Sequence, residues 1–241
     1  MGRFAIIANA RTGSSALAAF FRDLGLHVHP EPFRPSKWGE SNPPDYIVEL
    51  SNIYSRGAHA IKHLTNHCSI EDNIEIVTWL MRNGINVVHL HRKNKAMNAI
   101  SFMLAMQHEQ WELDRKDVVQ ATAYDEMPVG HIPVDWIREH IAKQDEMNDV
   151  LVKLLPPSHL ECPILHYEDF FGGVPFGILE QRVLNLLIIL DIYIPPDSSI
   201  EYLVREMIRE HFSPDGKQNP PSIYYRIPNW LEIQQEFGID L

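Results

Sequence analysis

At 241 residues, 45% hydrophobic and 22% charged, the chain has the makeup of a soluble globular protein with one sizeable core, and a single domain over residues 1–241 is the simplest division of it. A formal net charge of −11 disfavours nonspecific binding to nucleic acid or to an anionic membrane. An anionic ligand therefore has to be held by a local cluster of positive groups.

The first element is a short apolar run, Arg3–Ala8, that ends in the polar turn Asn9–Gly13 and passes at once into an Ala-rich helical pattern, Ser14–Leu24. Gly25 suits the exit of that helix. A strand–loop–helix unit of this kind is built to hold a phosphate-like anion. The amides of Gly13, Ser14 and Ser15 point from a helix N-terminus, where the macrodipole is positive. Ser14 and Ser15 add hydroxyl donors and Arg11 adds a fixed positive charge. The loop has one Gly and no Lys, so it is not the G-x-x-x-x-G-K-[ST] loop of nucleoside triphosphate enzymes.

A Pro-rich loop over His27–Pro44 comes next, then a helix near Asp45–Ser55 and a short apolar strand at His59–Leu64. Ser69 and Asp72 make a capping box for a helix over Ile70–Asn83 that stops at Gly84. The run Asn86–His91 reads as a strand, the turn Arg92–Lys95 follows, and Ala96–Glu109 reads as a helix. Residues 111–132 lack periodicity and read as an excursion or lid. Pro133 opens a long amphipathic helix that ends at Pro156–Pro157. A strand near Cys162–His166, a Gly-rich turn, and helices near Ile178–Leu190 and Ser199–His211 complete the body, and a tail over 213–241 ends in a short helix. Strands alternating with helices predict a mostly parallel sheet in a three-layer α/β/α fold of the P-loop-NTPase-like kind, with the ligand at the carboxyl ends of the strands. Three polar clusters fall at such ends: Arg11–Ser15, Lys62–His67 and Arg92–Lys95.

Other signals bound the setting. Two cysteines, Cys68 and Cys162, do not make a disulfide framework, and a reducing cytoplasm is the expected compartment. The N-terminal apolar run is too short for a signal peptide, Ile6 stands where myristoylation needs Ser or Thr, and Val183–Leu190 is far short of a membrane span. The histidine pairs His27/His29, His63/His67 and His89/His91 have spacings that suit metal ligands, but no H-E-x-x-H and no close Cys pair accompanies them, so no metal is expected. Trp38, Trp111, Tyr124 and Trp136 are available either to stack on a sugar or to pack a core.

The second motif is NVVHLHRKNKAMNAIS: an apolar strand, Arg92 at its end, and Ser101 in the following helix. Together with the first loop it resembles the sulfotransferases that use 3′-phosphoadenosine 5′-phosphosulfate (PAPS). Arg11–Thr12–Gly13–Ser14–Ser15–Ala16–Leu17 is similar to that family's 5′-phosphosulfate loop, with one extra residue before the Leu. Arg92 and Ser101 match its 3′-phosphate motif, and Leu165–Phe170, LHYEDF, resembles a further family segment. The wording HLHRKNK…AIS is especially similar to bacterial carbohydrate sulfotransferases. The resemblance implies PAPS as co-substrate, no metal, and a carbohydrate or small-molecule acceptor, and it is compatible with a homodimer. It implies binding of PAPS by Arg11, Thr12, Gly13, Ser14, Ser15, Arg92 and Ser101. Lys217 or Arg226 would close over the 3′-phosphate, although the family's R-K-G motif is absent. For the chemistry it implies Arg11 and Lys62 as charge stabilisers and Glu31 as the base, with His63 as the alternative base. Two other readings stay open: a P-loop kinase of small molecules, and a catalytically inactive nucleotide-binding homologue.

Overall fold

The computed structural model describes residues 2–37, 44–107, 128–155, 163–212 and 221–239. These form two compact units, Met1–Lys93 with Met147–Gly216, and Asn94–Glu146 with Lys217–Leu241.

The first unit is built on five parallel strands: β1 (Phe4–Ala8), β2 (Val28–Pro30), β3 (Ala60–Leu64), β4 (Asn86–His91) and β5 (Ile164–His166), in the spatial order β2-β3-β1-β4-β5. β1 lies mid-sheet, as a strand of five apolar residues buried along its whole length should. Its register pairs Ile6 with Lys62 on one side and with Val88 on the other.

The pleat sends alternate residues to opposite layers. Ala5, Ile7, Ile61 and Val87 enter one core with Leu50 and Ile53 of α2 (Tyr46–Ser55), Ile76 and Leu80 of α3 (Ile70–Arg82), and Met147 and Leu151 from the far half of α5 (Val134–Leu154). On the other face Phe4 packs on Phe21 of α1 (Ser14–Asp23), with ring centroids 4.6 Å apart. Phe20 meets Phe212 of α8 (Ser198–Phe212) at 5.3 Å. Between β5 and α8 lie the short α6 (Tyr167–Phe171) and α7 (Phe176–Ile189).

In the second unit, α4 (Lys95–Gln107) packs Ala96, Ile100 and Leu104 against Ile132, Ile137 of α5, Ile223 of α9 (Pro221–Tyr224), and Trp230 and Ile233 of α10 (Trp230–Phe237). Asn229 clips the segment before α5, accepting from Ile132 N at 3.2 Å and donating to its carbonyl at 2.9 Å.

The mostly parallel sheet covered by helices on both faces is thus present in the first unit. The capping box at Ser69 and Asp72 is present with both its hydrogen bonds. The expected loop over His27–Pro44 needs correction, because it contains β2, a three-residue edge strand pairing Val28 with Ala60. Its shortness and its closing proline hide it from periodicity. The segment Tyr167–Phe171, directly after β5, is a short helix. Residues 108–127, which hold most of the expected excursion, and the start of the tail lie outside the described residues. Among the described residues no helix is long and apolar enough to cross a membrane.

Candidate functional site

The loop from β1 to α1 turns through two left-handed positions, Arg11 at φ 66° and Gly13 at φ 82°. Thr12 between them is buried and its hydroxyl donates to the Asn9 carbonyl at 2.8 Å. Gly13 is the N-cap of α1 and brings no side-chain oxygen to the first-turn amides, so those donors are left to other partners. A Cβ on Gly13 would stand 2.4 Å from the Phe171 ring. The loop is therefore closed in from behind by an aromatic side chain, and only glycine fits there.

Lys62 projects from β3, and both it and Glu31 are buried. Its ammonium donates to Ser15 Oγ at 2.7 Å and pairs with Glu31 Oε1 at 2.6 Å. Glu31 follows β2 directly, its backbone N–H donating to the Lys62 carbonyl at 2.7 Å. It holds a left-handed backbone at φ 43°. Three non-glycine residues among those described have positive φ, namely Arg11, Glu31 and Asp191, and two of them flank this constellation. Such positions cost on the order of 1–3 kcal/mol each and persist where the surroundings impose them. Arg34 reaches Glu31 Oε2 at 3.8 Å from a more exposed position. The structure thus brings half-buried Ser15 and the buried Lys62 and Glu31 into one polar chain beside the loop.

Behind the loop runs a second polar network that sequence reasoning missed. Asn9 Nδ2 donates to Asn148 Oδ1 at 3.4 Å, Thr65 Oγ1 donates to Asn9 Oδ1, and Asn73 Nδ2 donates to the Thr65 carbonyl at 2.9 Å. The signal was the polar residues directly after strands, Asn9 after β1 and Thr65 after β3.

His63 belongs to this network. Asn73 gives its amide N–H groups to the carbonyls of Thr65, Cys68 and Ser69, so its Oδ1 must accept from His63 Nε2, at 2.8 Å. That fixes the neutral tautomer and leaves His63 Nδ1 buried and without a hydrogen-bond partner among the described residues. One residue after Lys62, the pleat turns His63 toward the opposite layer, edge-on to Phe33 at 5.4 Å. This is a packing environment, and it gives no support to His63 as the base.

Burial pushes the His63 pKa down from 6.5 to about 4, and that of His89, in the same layer, to about 3. In the unfolded chain both regain ordinary values, so as pH falls through about 6.5 the unfolded state takes up protons that the folded state refuses. Stability is expected to fall between about pH 7 and pH 5, read as a lower urea midpoint. His63→Gln should flatten that slope, and an unchanged slope would mean that His63 titrates freely in the folded protein.

At the end of β4, Arg92 stacks over the Tyr167 ring at 4.5 Å and its Nε lies 4.0 Å from Glu168 Oε1. That Nε is buried and makes no hydrogen bond to any described residue. Glu168 accepts from Lys93 N at 2.9 Å, and Asp169 pairs with Lys93 Nζ at 3.2 Å. Ser101 is buried in α4 of the second unit. Arg226 is half-buried in the turn between Tyr224 and Ile227, both of which pack in the core around α4. Lys217, Trp38, Trp111 and Tyr124 lie outside the described residues, while Trp136 stacks on His140 at 4.9 Å. The rings of His89, His91 and His166 stack in series, at 5.2 Å and 4.4 Å. Among the described residues no group of three or more His, Cys, Asp or Glu could hold a metal ion.

No protein-family model matches the sequence, and no curated protein matches it. Among solved structures the chain is similar to a sulfotransferase from Alicyclobacillus acidocaldarius, with a TM-score of 0.43 and 11% identity, over 100% of this chain and 98% of that chain. A likeness of that degree carries no argument about activity, which has to rest on the residues.

Proposed function

We propose that the protein is a sulfotransferase that moves the sulfuryl group of PAPS to a hydroxyl of a carbohydrate or small metabolite. The observation that carries this reading is the buried Lys62–Glu31 pair, joined to half-buried Ser15 of the Arg11–Ser15 loop. A cation and a carboxylate held together next to an anion cradle are the groups that transfer to a hydroxyl calls for. Three features support a fit to PAPS: a turn that only glycine satisfies, an Arg92 Nε at the next strand end with no hydrogen bond to any described residue, and a donor set of amides, hydroxyls and cations without a Walker lysine.

In this reading the amides and hydroxyls of Thr12, Gly13, Ser14 and Ser15 hold the 5′-phosphosulfate. Arg92 takes the 3′-phosphate, and Ser101 joins it on the strength of the sequence motif; Arg226 and Lys217 are kept as tail contacts to the same group. By analogy with phosphoryl transfer, the protein's work is positioning and charge stabilisation. The acceptor oxygen bonds to sulfur as the bond from sulfur to the bridging oxygen breaks. Arg11 stabilises charge gathering on that oxygen and on the 5′-phosphate, and Lys62 offsets charge on the sulfuryl oxygens. The hydroxyl proton passes to the Glu31 carboxylate.

The test is calorimetric titration with adenosine 3′,5′-bisphosphate. Binding is expected without Mg²⁺, and Arg92→Ala should weaken it about tenfold or more while AMP binding changes little. Equal losses for the two ligands would remove Arg92 from the 3′ site. Binding of Mg²⁺-ATP but not of the bisphosphate, in folded protein, would replace the proposal with a kinase.

A further inference from the structure

We infer that the acceptor is itself an acid, a hydroxyl compound bearing a carboxylate that Arg34 receives; the inference rests on the sulfotransferase reading and names its acceptor class. The observation is the charge arrangement around Glu31. Lys37, at the end of the single turn Pro35–Lys37, donates to the Pro30 carbonyl and lies within electrostatic range of Glu31, Arg34, Lys62 and Glu49. Burial first, and then Arg34 and Lys62, push its ammonium below the ordinary lysine value against the pull of the two carboxylates.

Among the described residues three cations, Lys62, Arg34 and Lys37, lie around Glu31. Lys62 and Glu31 offset one another at 2.6 Å. Arg34 pairs with Glu31 only loosely, at 3.8 Å, and is 41% exposed, beside the carboxylate that is to take the acceptor's proton. A guanidinium presents a planar fork that matches a carboxylate with two parallel hydrogen bonds.

His67, on the turn after β3, lies in range of the same four groups, Glu31, Arg34, Lys62 and Lys37. Burial lowers its pKa, and its Nδ1 is buried without a hydrogen-bond partner among the described residues. It offers a neutral polar atom to a hydroxyl close to Glu31. On a chain of net charge −11, an acid is repelled by the protein as a whole, so a positive entrance at Arg34 selects for it locally.

The experiment uses protein saturated with adenosine 3′,5′-bisphosphate and titrated with methyl β-glucuronide or methyl β-glucoside. These probes differ in a carboxylate against a hydroxymethyl group. The glucuronide is expected to bind about tenfold tighter or more. The preference should shrink to within about twofold in Arg34→Gln, and it should weaken as salt rises from about 0.05 to 0.5 M. The bisphosphate affinity of Arg34→Gln reports that its fold and nucleotide site are intact. Equal affinity for the two probes, binding of neither, or a preference that survives Arg34→Gln would overturn the inference. If the bisphosphate itself fails to bind, the sulfotransferase reading has failed, and the two failures are told apart.

Discussion

Lys62→Met is expected to abolish sulfuryl transfer and to cost the fold about 3–5 kcal/mol. Both effects have one origin. Lys62 and Glu31 are buried with side chains 3% and 10% exposed, and the pair is closed at 2.6 Å. Methionine keeps the stem of the lysine but leaves the buried Glu31 carboxylate with Arg34, at 3.8 Å, as its remaining ion-pair partner among the described residues. Removing one member of such a pair costs far more than the pair's net worth, because the remaining charge keeps its desolvation penalty. The double variant Lys62→Met with Glu31→Gln should recover most of the stability, since it removes both charges together. It should not recover turnover, because a cation on the sulfuryl oxygens and a proton acceptor are both missing. Urea denaturation gives the first comparison, and sulfation assayed against a panel of hydroxyl acceptors gives the second. A double variant as unstable as Lys62→Met would show that the unpaired Glu31 charge is not what destabilises the single variant. A Lys62→Met protein with turnover near wild type would remove Lys62 from the chemistry.

The parts of this site that were legible in the sequence are those in which a local run dictates a local shape. The apolar run before Asn9 and the Ala-rich pattern after Gly13 fix β1, the turn and α1 without help from elsewhere. Lys62, in the middle of β3, was reached through the resemblance to the sulfotransferases and not through any local pattern. Glu31 was proposed from its place after the first helix, and the structure sets it beside Lys62 through β2, a strand too short to announce itself. What stayed hidden depends on contacts between distant segments. Asn9, Thr65, Asn73 and Asn148 make one buried network from four places in the chain, and nothing in any one segment requires the others. His63 shows the same limit from the other side. Adjacent to Lys62 in sequence, it is turned by the pleat toward the opposite layer, where Asn73 fixes its tautomer. The place of Arg34 beside Glu31 was equally invisible, because it arises only when β2 carries Glu31 next to Lys62.

Gly13→Ala is expected to weaken adenosine 3′,5′-bisphosphate by about a hundredfold or more and to destabilise the protein by about 2–4 kcal/mol. The backbone contributes first: φ at Gly13 is 82°, a conformation in which an L side chain costs roughly 1 kcal/mol. The larger effect is steric. The added methyl would stand 2.4 Å from an edge carbon of Phe171 and 2.9 Å from the next. A buried ring cannot yield as a flexible side chain does, and this one is held at 5.4 Å by Phe212 and at 4.9 Å by Tyr167. Tyr167 in turn is the surface on which Arg92 stacks, at 4.5 Å. A methyl group at the first anion site therefore pushes, through two aromatic rings, on the arginine assigned to the second. The substitution should weaken AMP as well as the bisphosphate, in contrast to Arg92→Ala, which should spare AMP. Adding Phe171→Leu to Gly13→Ala should return part of the stability, because it makes room for the methyl but leaves the backbone strain in place. Calorimetric titration of both nucleotides and urea denaturation of the three variants decide the matter. Bisphosphate affinity within twofold of wild type in Gly13→Ala would mean that the turn after β1 is not the cradle for the 5′ end of the nucleotide.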